Sequence, residues 1–437
     1  MSQSETGPLE VSPTPAGDEG PVPHRSPLVP LRRNWRFQLL WIGATSTTLG
    51  VEAADIAYPL LVLALSGSPA LAGLFGFTQL ILILALGLPI GVLADRWNHR
   101  YVLIGAEGAR AVATASVALA LAMGGLTVIH LLLVALVLGL GTAFGGPVRM
   151  LLVRAVVPDE QLTQALTQDE VREGAAGLLG PAFGGALYGV SRVLPFIACA
   201  ITFTISLLCA LFVRIPPQSK EPVDADNCED SQQSSFPEES GALAGVRELV
   251  RQPALRGALL LIGTFYLVIT AVTLVVVVKL QSQGTAPGTV GLALTGSAVG
   301  MLLGSLLVKR LHQWMSPGRL LLLVSVTVAV SVALLAVPFG SWWVFGMLVL
   351  ATLMTPALRV LIDIMILRQV PVDRRGRTIV ATMTVLQGGP ALGTIGAGLL
   401  LQFTSTTTAI LTLAALQGAV TLYGLTDRPV AEARWPG

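Results

Sequence analysis

The sequence predicts an all-α membrane protein with twelve transmembrane helices in two pseudo-symmetric six-helix bundles, and three observations carry that prediction. Of 437 residues, 53% are hydrophobic and 12% charged, about half the charged fraction of a soluble domain. The apolar residues run in continuous stretches of ~20 or more, the length a helix needs to cross a hydrocarbon core. They do not alternate as in an outer-membrane barrel. Six such stretches lie on each side of one polar interval.

The elements follow in order. Residues 1–35 form a tail with seven prolines in its first 31 positions and no apolar face, and it is expected to be disordered. It lacks the basic start, short apolar core and small-residue cleavage site of a signal peptide. Apolar spans follow at about 36–65, 69–94, 101–123, 127–148, 164–190 and 193–213, making a first bundle over 36–213. The interval 214–255 is polar and acidic. It ends in a segment, 241–251, where Leu243, Val246, Leu249 and Val250 recur at helical spacing opposite Arg247, Glu248 and Arg251. That pattern predicts a short helix on the membrane surface. The second bundle, 256–426, has spans at about 256–279, 288–308, 318–337, 341–367, 377–402 and 405–426, and 427–437 form a second tail.

Charge sets the expected orientation. If the N-terminus is cytoplasmic, 22 of the 27 Lys and Arg fall in cytoplasmic segments, while outer loops hold two, Arg192 and Lys279. The positive-inside rule then puts both termini and the 214–255 interval in the cytoplasm. Arg outnumbers Lys 24 to 3, as in GC-rich bacterial genomes, so the expected location is a bacterial cytoplasmic membrane.

Composition also excludes. A net charge of +2 leaves no basic face for nucleic acid. Cys199, Cys209 and Cys228 suggest no disulfide framework, and four scattered histidines suggest no metal site. Without a G-x-x-x-x-G-K-[ST] loop the chain has no P-loop with which to hydrolyse ATP. No cofactor is expected, and uphill work would draw on an ion gradient.

The two halves repeat. Val157-Pro158-Asp159 precedes a helix carrying Gly180-Pro181-Ala182-Phe183-Gly184, and Val370-Pro371-Val372-Asp373 precedes one carrying Gly389-Pro390-Ala391-Leu392-Gly393. Gly87 and Gly91 have partners in Gly300 and Gly304, 213 residues on. Parallel six-helix repeats of this kind are one architecture of secondary transporters.

The most specific string is Gly91-Val-Leu93-Ala-Asp95-Arg96-Trp-Asn98-His99-Arg100, closing the second span. It resembles the G-x-L-x-D-R-x-G-R-[RK] signature of the major facilitator superfamily. Gly91 permits close helix approach, Asp95 can face a helix N-terminus, and Arg96 and Arg100 supply partner charge. Asn98 replaces the usual glycine and is expected in a left-handed turn; His99 replaces an arginine. Trp35-Arg-Phe-Gln-Leu-Leu-Trp41, Pro158-Asp-Glu-Gln-Leu162, Gly180-Pro-Ala-Phe-Gly-Gly185 and Arg375-Gly-Arg377 resemble one branch, the drug and siderophore exporters similar to the enterobactin and macrolide exporters. The resemblance spans about 35–426. It implies a membrane carrier rather than an enzyme, and export by exchange. Physically, Pro181 and Pro390 each free a carbonyl, while Gly180, Gly184, Gly185 and Gly389 allow bending and close packing. Two departures stand out. The arginine of many proton antiporters would fall near Ala135, and Val308 occupies the position that repeats Asp95, leaving Lys309 and Arg310.

Ionisable residues inside spans are costly, so each is a functional candidate. Glu52 and Asp55 share one face of the first span with no Lys or Arg nearby. Two close carboxylates in low dielectric cannot both ionise cheaply, which suits proton binding or attraction of a cationic substrate. Glu107 and Arg110, one turn apart, suit a clamp or gate. Asp169, Glu170, Arg172 and Glu173 cluster at the start of the fifth span, and Arg359 and Asp363 near the end of the tenth. Gly91, Asp95, Arg96, Arg100, Arg359, Asp363, Arg375 and Arg377 complete the candidate cytoplasmic gate. The resemblance implies a cavity between helices one, four, seven and ten, whose Thr48, Asp55, Thr142, Phe144, Thr264, Tyr266, Thr270 and Met354 make a mixed wall for an uncharged or weakly cationic compound.

The expected function is proton-coupled export of a small amphipathic organic compound by a monomer in the lipid bilayer. Siderophore or lysophospholipid transport is the second expectation, and a non-transporting membrane binding or regulatory protein the third.

Overall fold

The computed structural model describes residues 30–213, 253–369 and 372–426, and among them every regular element is an α-helix. The tails and the surface helix expected at 241–251 lie outside the described residues. The first half holds α1 (Trp35–Ser66), α2 (Pro69–Arg96), α3 (His99–Ala122), α4 (Val128–Val156), α5 (Asp159–Val190) and α6 (Leu194–Phe212). The second holds α7 (Pro253–Ser282), α8 (Pro287–Trp314), α9 (Pro317–Leu334), α10 (Ser341–Thr352), α11 (Thr355–Gln369), α12 (Val372–Phe403) and α13 (Thr406–Thr426). Among the described residues, ten segments are long and apolar enough to cross a membrane. The exceptions are the two Gly-Pro helices α5 and α12, which begin in charged turns.

Local chemistry sets the boundaries. Asn34 caps α1, its side chain accepting from the Phe37 N–H at 3.2 Å. Asn98 corrects an expectation: its φ of −70° is not left-handed, and it caps α3 by accepting from the Arg100 N–H at 3.1 Å. The tenth span is also two helices rather than one. It breaks at Leu353 and Met354, where Pro356 enters the first turn of α11 without an N–H to give. Gly304 of α8 packs against the Leu353 carbonyl there, where a Cβ would overlap it.

The sequence repeat is a repeat of packing. Gly180 and Gly184 of α5 lie against Glu52 and Ala53 of α1, and Gly389 and Gly393 of α12 lie against Gly263 and Leu267 of α7. Each Gly-Pro helix thus presses its backbone onto the first helix of its own half. The halves meet along two related seams, α5 on α8 and α2 on α12. A Cβ on Gly185 would stand 2.5 Å from the Pro287 carbonyl oxygen and 3.0 Å from Gly291 Cα. One on Gly398 would stand 2.8 Å from the Pro69 oxygen and 2.9 Å from Gly73 Cα. Both tight points lie toward the end of the bundle opposite Trp35 and Thr426.

Polar side chains tie helix ends together. Asn34 donates to the Val156 carbonyl at 3.0 Å, and Arg100 to those of Ala210 and Leu211, at 3.4 and 2.5 Å, at the C-terminus of α6. Lys279, expected in an outer loop, is buried in the last turns of α7. Its ammonium donates to the carbonyls of Leu335 and Val337 beyond α9. Lys279→Met is therefore expected to destabilise the purified protein by the ~1.5–3 kcal/mol of a charge-assisted hydrogen bond, read as a lower thermal midpoint. An unchanged melting curve would show that the cap contributes nothing.

Candidate functional site

A cavity of about 270 Å³ opens within the first half, walled by α1, α3, α4 and α5. It runs from mid-depth, at Val51 and Thr142, toward the end of the bundle that carries Trp35, at Phe37, Trp41 and Val153. One side is apolar; the other is a set of charged side chains that span several helices.

Behind its wall Glu107 of α3 is wholly buried. Its carboxylate accepts from Arg149 of α4 at 2.8 Å, from Arg110 at 3.4 Å and from the Thr47 hydroxyl of α1 at 3.1 Å. Arg149 also donates to Thr47 at 3.1 Å and to Ser206 of α6 at 3.4 Å, through the same terminal nitrogen. Arg110 donates to Thr142 at 2.9 Å and lies over the Phe203 ring at 5.7 Å. Gly141 makes room for it, since a Cβ there would overlap the arginine stem. Four helices converge on one carboxylate.

Across the cavity, Arg172 of α5 bridges to Asp169 at 2.7 Å and Glu173 at 3.5 Å. It also donates to the Ala44 carbonyl at 2.9 Å and to the Thr48 hydroxyl. Consecutive α1 residues, Thr47 and Thr48, therefore serve the Glu107 and the Arg172 cluster respectively. Arg359, exposed on α11 of the other half, is within electrostatic reach of Glu173.

The structure joins some sequence candidates and separates others. Glu107 and Arg110 are together, with Thr142 on the same arginine; Thr48 and Thr142 line the cavity. Phe144 faces Trp97, with ring centroids 6.1 Å apart, while Thr264 is half-buried on α7 and Thr270 donates to the Tyr266 carbonyl. Met354 sits at the α10–α11 break. None of Phe144, Thr264, Tyr266, Thr270 and Met354 lines this cavity. Glu52 backs onto Gly180, and Asp55 is exposed one turn on; neither has an ion-pair partner among the described residues. The side chains of Gly91, Asp95, Arg96, Asp363, Arg375 and Arg377 lie outside the described residues.

Arg149 was missed, because charge counting placed it in a cytoplasmic segment while α4 extends to Val156. A signal was present: Gly141, Gly145 and Arg149 fall four apart, a small-residue track that ends in a charge on one helix face.

Two related helical halves with ten membrane-crossing segments among the described residues, and a cavity within the first half, define a major facilitator transporter, a membrane carrier and not an enzyme. The chain belongs to the family described as transmembrane secretion effector, whose model matches residues 25–433. Among relatives, Macrolide efflux protein A of Streptococcus pyogenes is 25% identical over 283 residues, covering 63% of this chain and 67% of its own length. The MFS-type transporter YfiS of Bacillus subtilis is 24% identical across 93% of this chain and 96% of its own. The fold matches a bacterial homologue of the human lysosomal transporter Spinster, inward-facing and unoccupied. The TM-score is 0.65 at 17% identity, with 92% and 99% of the two chains covered. A bacterial homologue of the iron transporter ferroportin, inward-facing, matches with a TM-score of 0.67 at 16% identity over 91% and 100%.

Proposed function

We propose that this protein exports a small amphipathic organic compound from the bacterial cytoplasm in exchange for protons. The observation that carries this reading is the cavity itself, mostly apolar with five charged side chains in its wall, open toward the end bearing Trp35 while the halves pack closely through glycines toward the opposite end. The positive-inside bias assigns that open end to the cytoplasm. Secretion-effector membership and macrolide efflux relatives support the outward direction. Glu52 and Asp55, unpaired on the cavity helix α1, are the proposed proton carriers. The candidate cytoplasmic gate comprises Asp95, Arg96, Arg100, Arg359, Asp363, Arg375 and Arg377, together with the Glu107–Arg110 pair. One chain encloses the whole cavity, so it is proposed to work as a monomer.

Everted membrane vesicles test this. Energised vesicles containing the protein should accumulate a dye or macrolide panel member, and an uncoupler should collapse the gradient. Glu52→Gln or Asp55→Asn should abolish uphill accumulation while leaving downhill exchange. Accumulation that survives the uncoupler would exclude proton exchange, and no solute movement at all would exclude export.

A further inference from the structure

The two halves pack tightly toward one end and part toward the other. On the α5–α8 seam, a Cβ on Gly185 would stand 2.5 Å from the Pro287 carbonyl oxygen. Toward the Trp35 end the contact loosens. A Cβ on Gly177 would meet only Ala298 Cβ, at 3.9 Å, and one on Gly174 only the tip of the Leu302 side chain, at 3.5 Å. The tight end also carries a polar clasp on the other seam, where Ser68, just before α2, donates to Gln402 of α12 at 2.7 Å.

The loose part of the seam holds two opposite charges that form no ion pair. Glu173, beside Gly174 on α5, lines the cavity with its side chain 57% exposed. Its bridge to Arg172 is long, at 3.5 Å. Without it Arg172 keeps Asp169 at 2.7 Å, the Ala44 carbonyl and the Thr48 hydroxyl, so losing Glu173 would not strand a buried cation. Across the gap, α11 packs on α8 where Gly304 lies against Leu353 and Pro356. Arg359, one turn past Pro356, is exposed and joins no ion pair among the described residues. It acts on the Glu173 carboxylate only through space. Leu302 and Gly304 are close neighbours on α8, so both charged groups flank one short stretch of that helix.

We infer that Glu173 is a two-position latch: it bridges to Arg172 of its own half while the Trp35 end is open, and to Arg359 of the other half when that end shuts. Closing the loose part of the seam brings the pair together and excludes water from between them, which strengthens the attraction. The same rocking parts the Ser68–Gln402 clasp, so each end is held by its own polar contact in one state only. The latch gives Arg359 of the proposed gate a partner. It rests on the export reading only for the alternation of the two ends.

A cysteine in place of Ala70, which lies against Gly398 at the tight seam, reports opening of that end by its rate of maleimide labelling. The full chain is used in lipid nanodiscs, with Cys199, Cys209 and Cys228 replaced by alanine. Glu173→Gln and Arg359→Gln should each slow labelling, Arg359→Gln by about two- to five-fold, the span of a partly exposed ion pair. The double neutral variant should label no slower than Arg359→Gln alone, since either change breaks the same pair. Glu173→Arg/Arg359→Glu, which restores the pair in reverse, should label faster than Arg359→Glu. Should the swapped protein not assemble, the neutral cycle alone decides. Unchanged or faster labelling in either single variant, additive slowing in the double, or a folded swap that labels no faster would each overturn the latch. Non-additive slowing in a protein whose vesicles move no solute would remove the export reading and keep the latch. Additive slowing in one that exports would do the reverse.

Discussion

Glu107→Gln should be the most damaging single substitution in the first half. The amide preserves the shape and can still accept from Thr47, but it strands two guanidiniums in a membrane interior. Breaking a buried ion pair by removing one partner costs ~3–5 kcal/mol, enough to lower the thermal midpoint strongly and reduce the yield of folded protein. Arg149→Gln should cost far less, because it leaves Glu107 matched one-to-one by Arg110. The double variant Glu107→Gln/Arg149→Gln should therefore be more stable than Glu107→Gln alone, a non-additivity visible in melting curves of the detergent-purified proteins. A charge-swapped Glu107→Arg/Arg110→Glu protein should likewise regain part of what each single change loses. Strict additivity in these cycles would mean that the side chains are neighbours without being partners.

Gly398→Leu, or its symmetry counterpart Gly185→Leu, should stop transport by a different route. At both positions a Cβ would fall within van der Waals overlap of backbone in the other half, so the side chain cannot be accommodated by a rotamer change. Overpacking of this kind costs ~1–3 kcal/mol, and it falls only on the state in which the seam is shut. That shifts the equilibrium by about five- to 150-fold toward a conformation open at this end. Thiol labelling of a cysteine placed on α2 or α12 near the seam should accelerate, and vesicle transport should drop in parallel. Gly396→Ala, where a Cβ meets no atom within 4 Å, is the matched control and should behave as the parent. Normal transport by Gly398→Leu would show that the seam need not close.

The architecture was legible because lipid imposes it. Twelve apolar spans, the 213-residue repeat and the paired Gly-Pro motifs follow from backbone satisfaction and close packing, which leave periodic marks in composition. The glycine offsets anticipated that α5 and α12 would play equivalent parts, and their backbones do press on α1 and α7 alike. The site was less legible because it is built across helices. The Glu107–Arg110 pair could be seen from a one-turn spacing, but Arg149 reaches Glu107 over 42 residues of chain and Thr47 over 102. Its position near the end of an apolar span looked like ordinary cytoplasmic charge. The reverse error affects Thr264 and Thr270, where a polar residue on an expected cavity helix is only half-buried and, in Thr270, satisfies a carbonyl one turn back. Asn98 shows the same limit on a smaller scale: Asn suits both a left-handed turn and an N-cap, and the start of α3 at His99 selects the cap.

The buried cluster has no counterpart in the second half. Displaced by the same 213 residues, Glu107, Arg110 and Arg149 become Leu320, Leu323 and Ile362, all apolar. In the first half three arginines, Arg110, Arg149 and Arg172, stand against three carboxylates, Glu107, Asp169 and Glu173, and an energised membrane acts on any charge left over among them with ~2.3 kcal/mol per 100 mV over the full thickness. A proton taken up or lost among these groups would therefore expose one bundle to the membrane potential and leave its twin untouched.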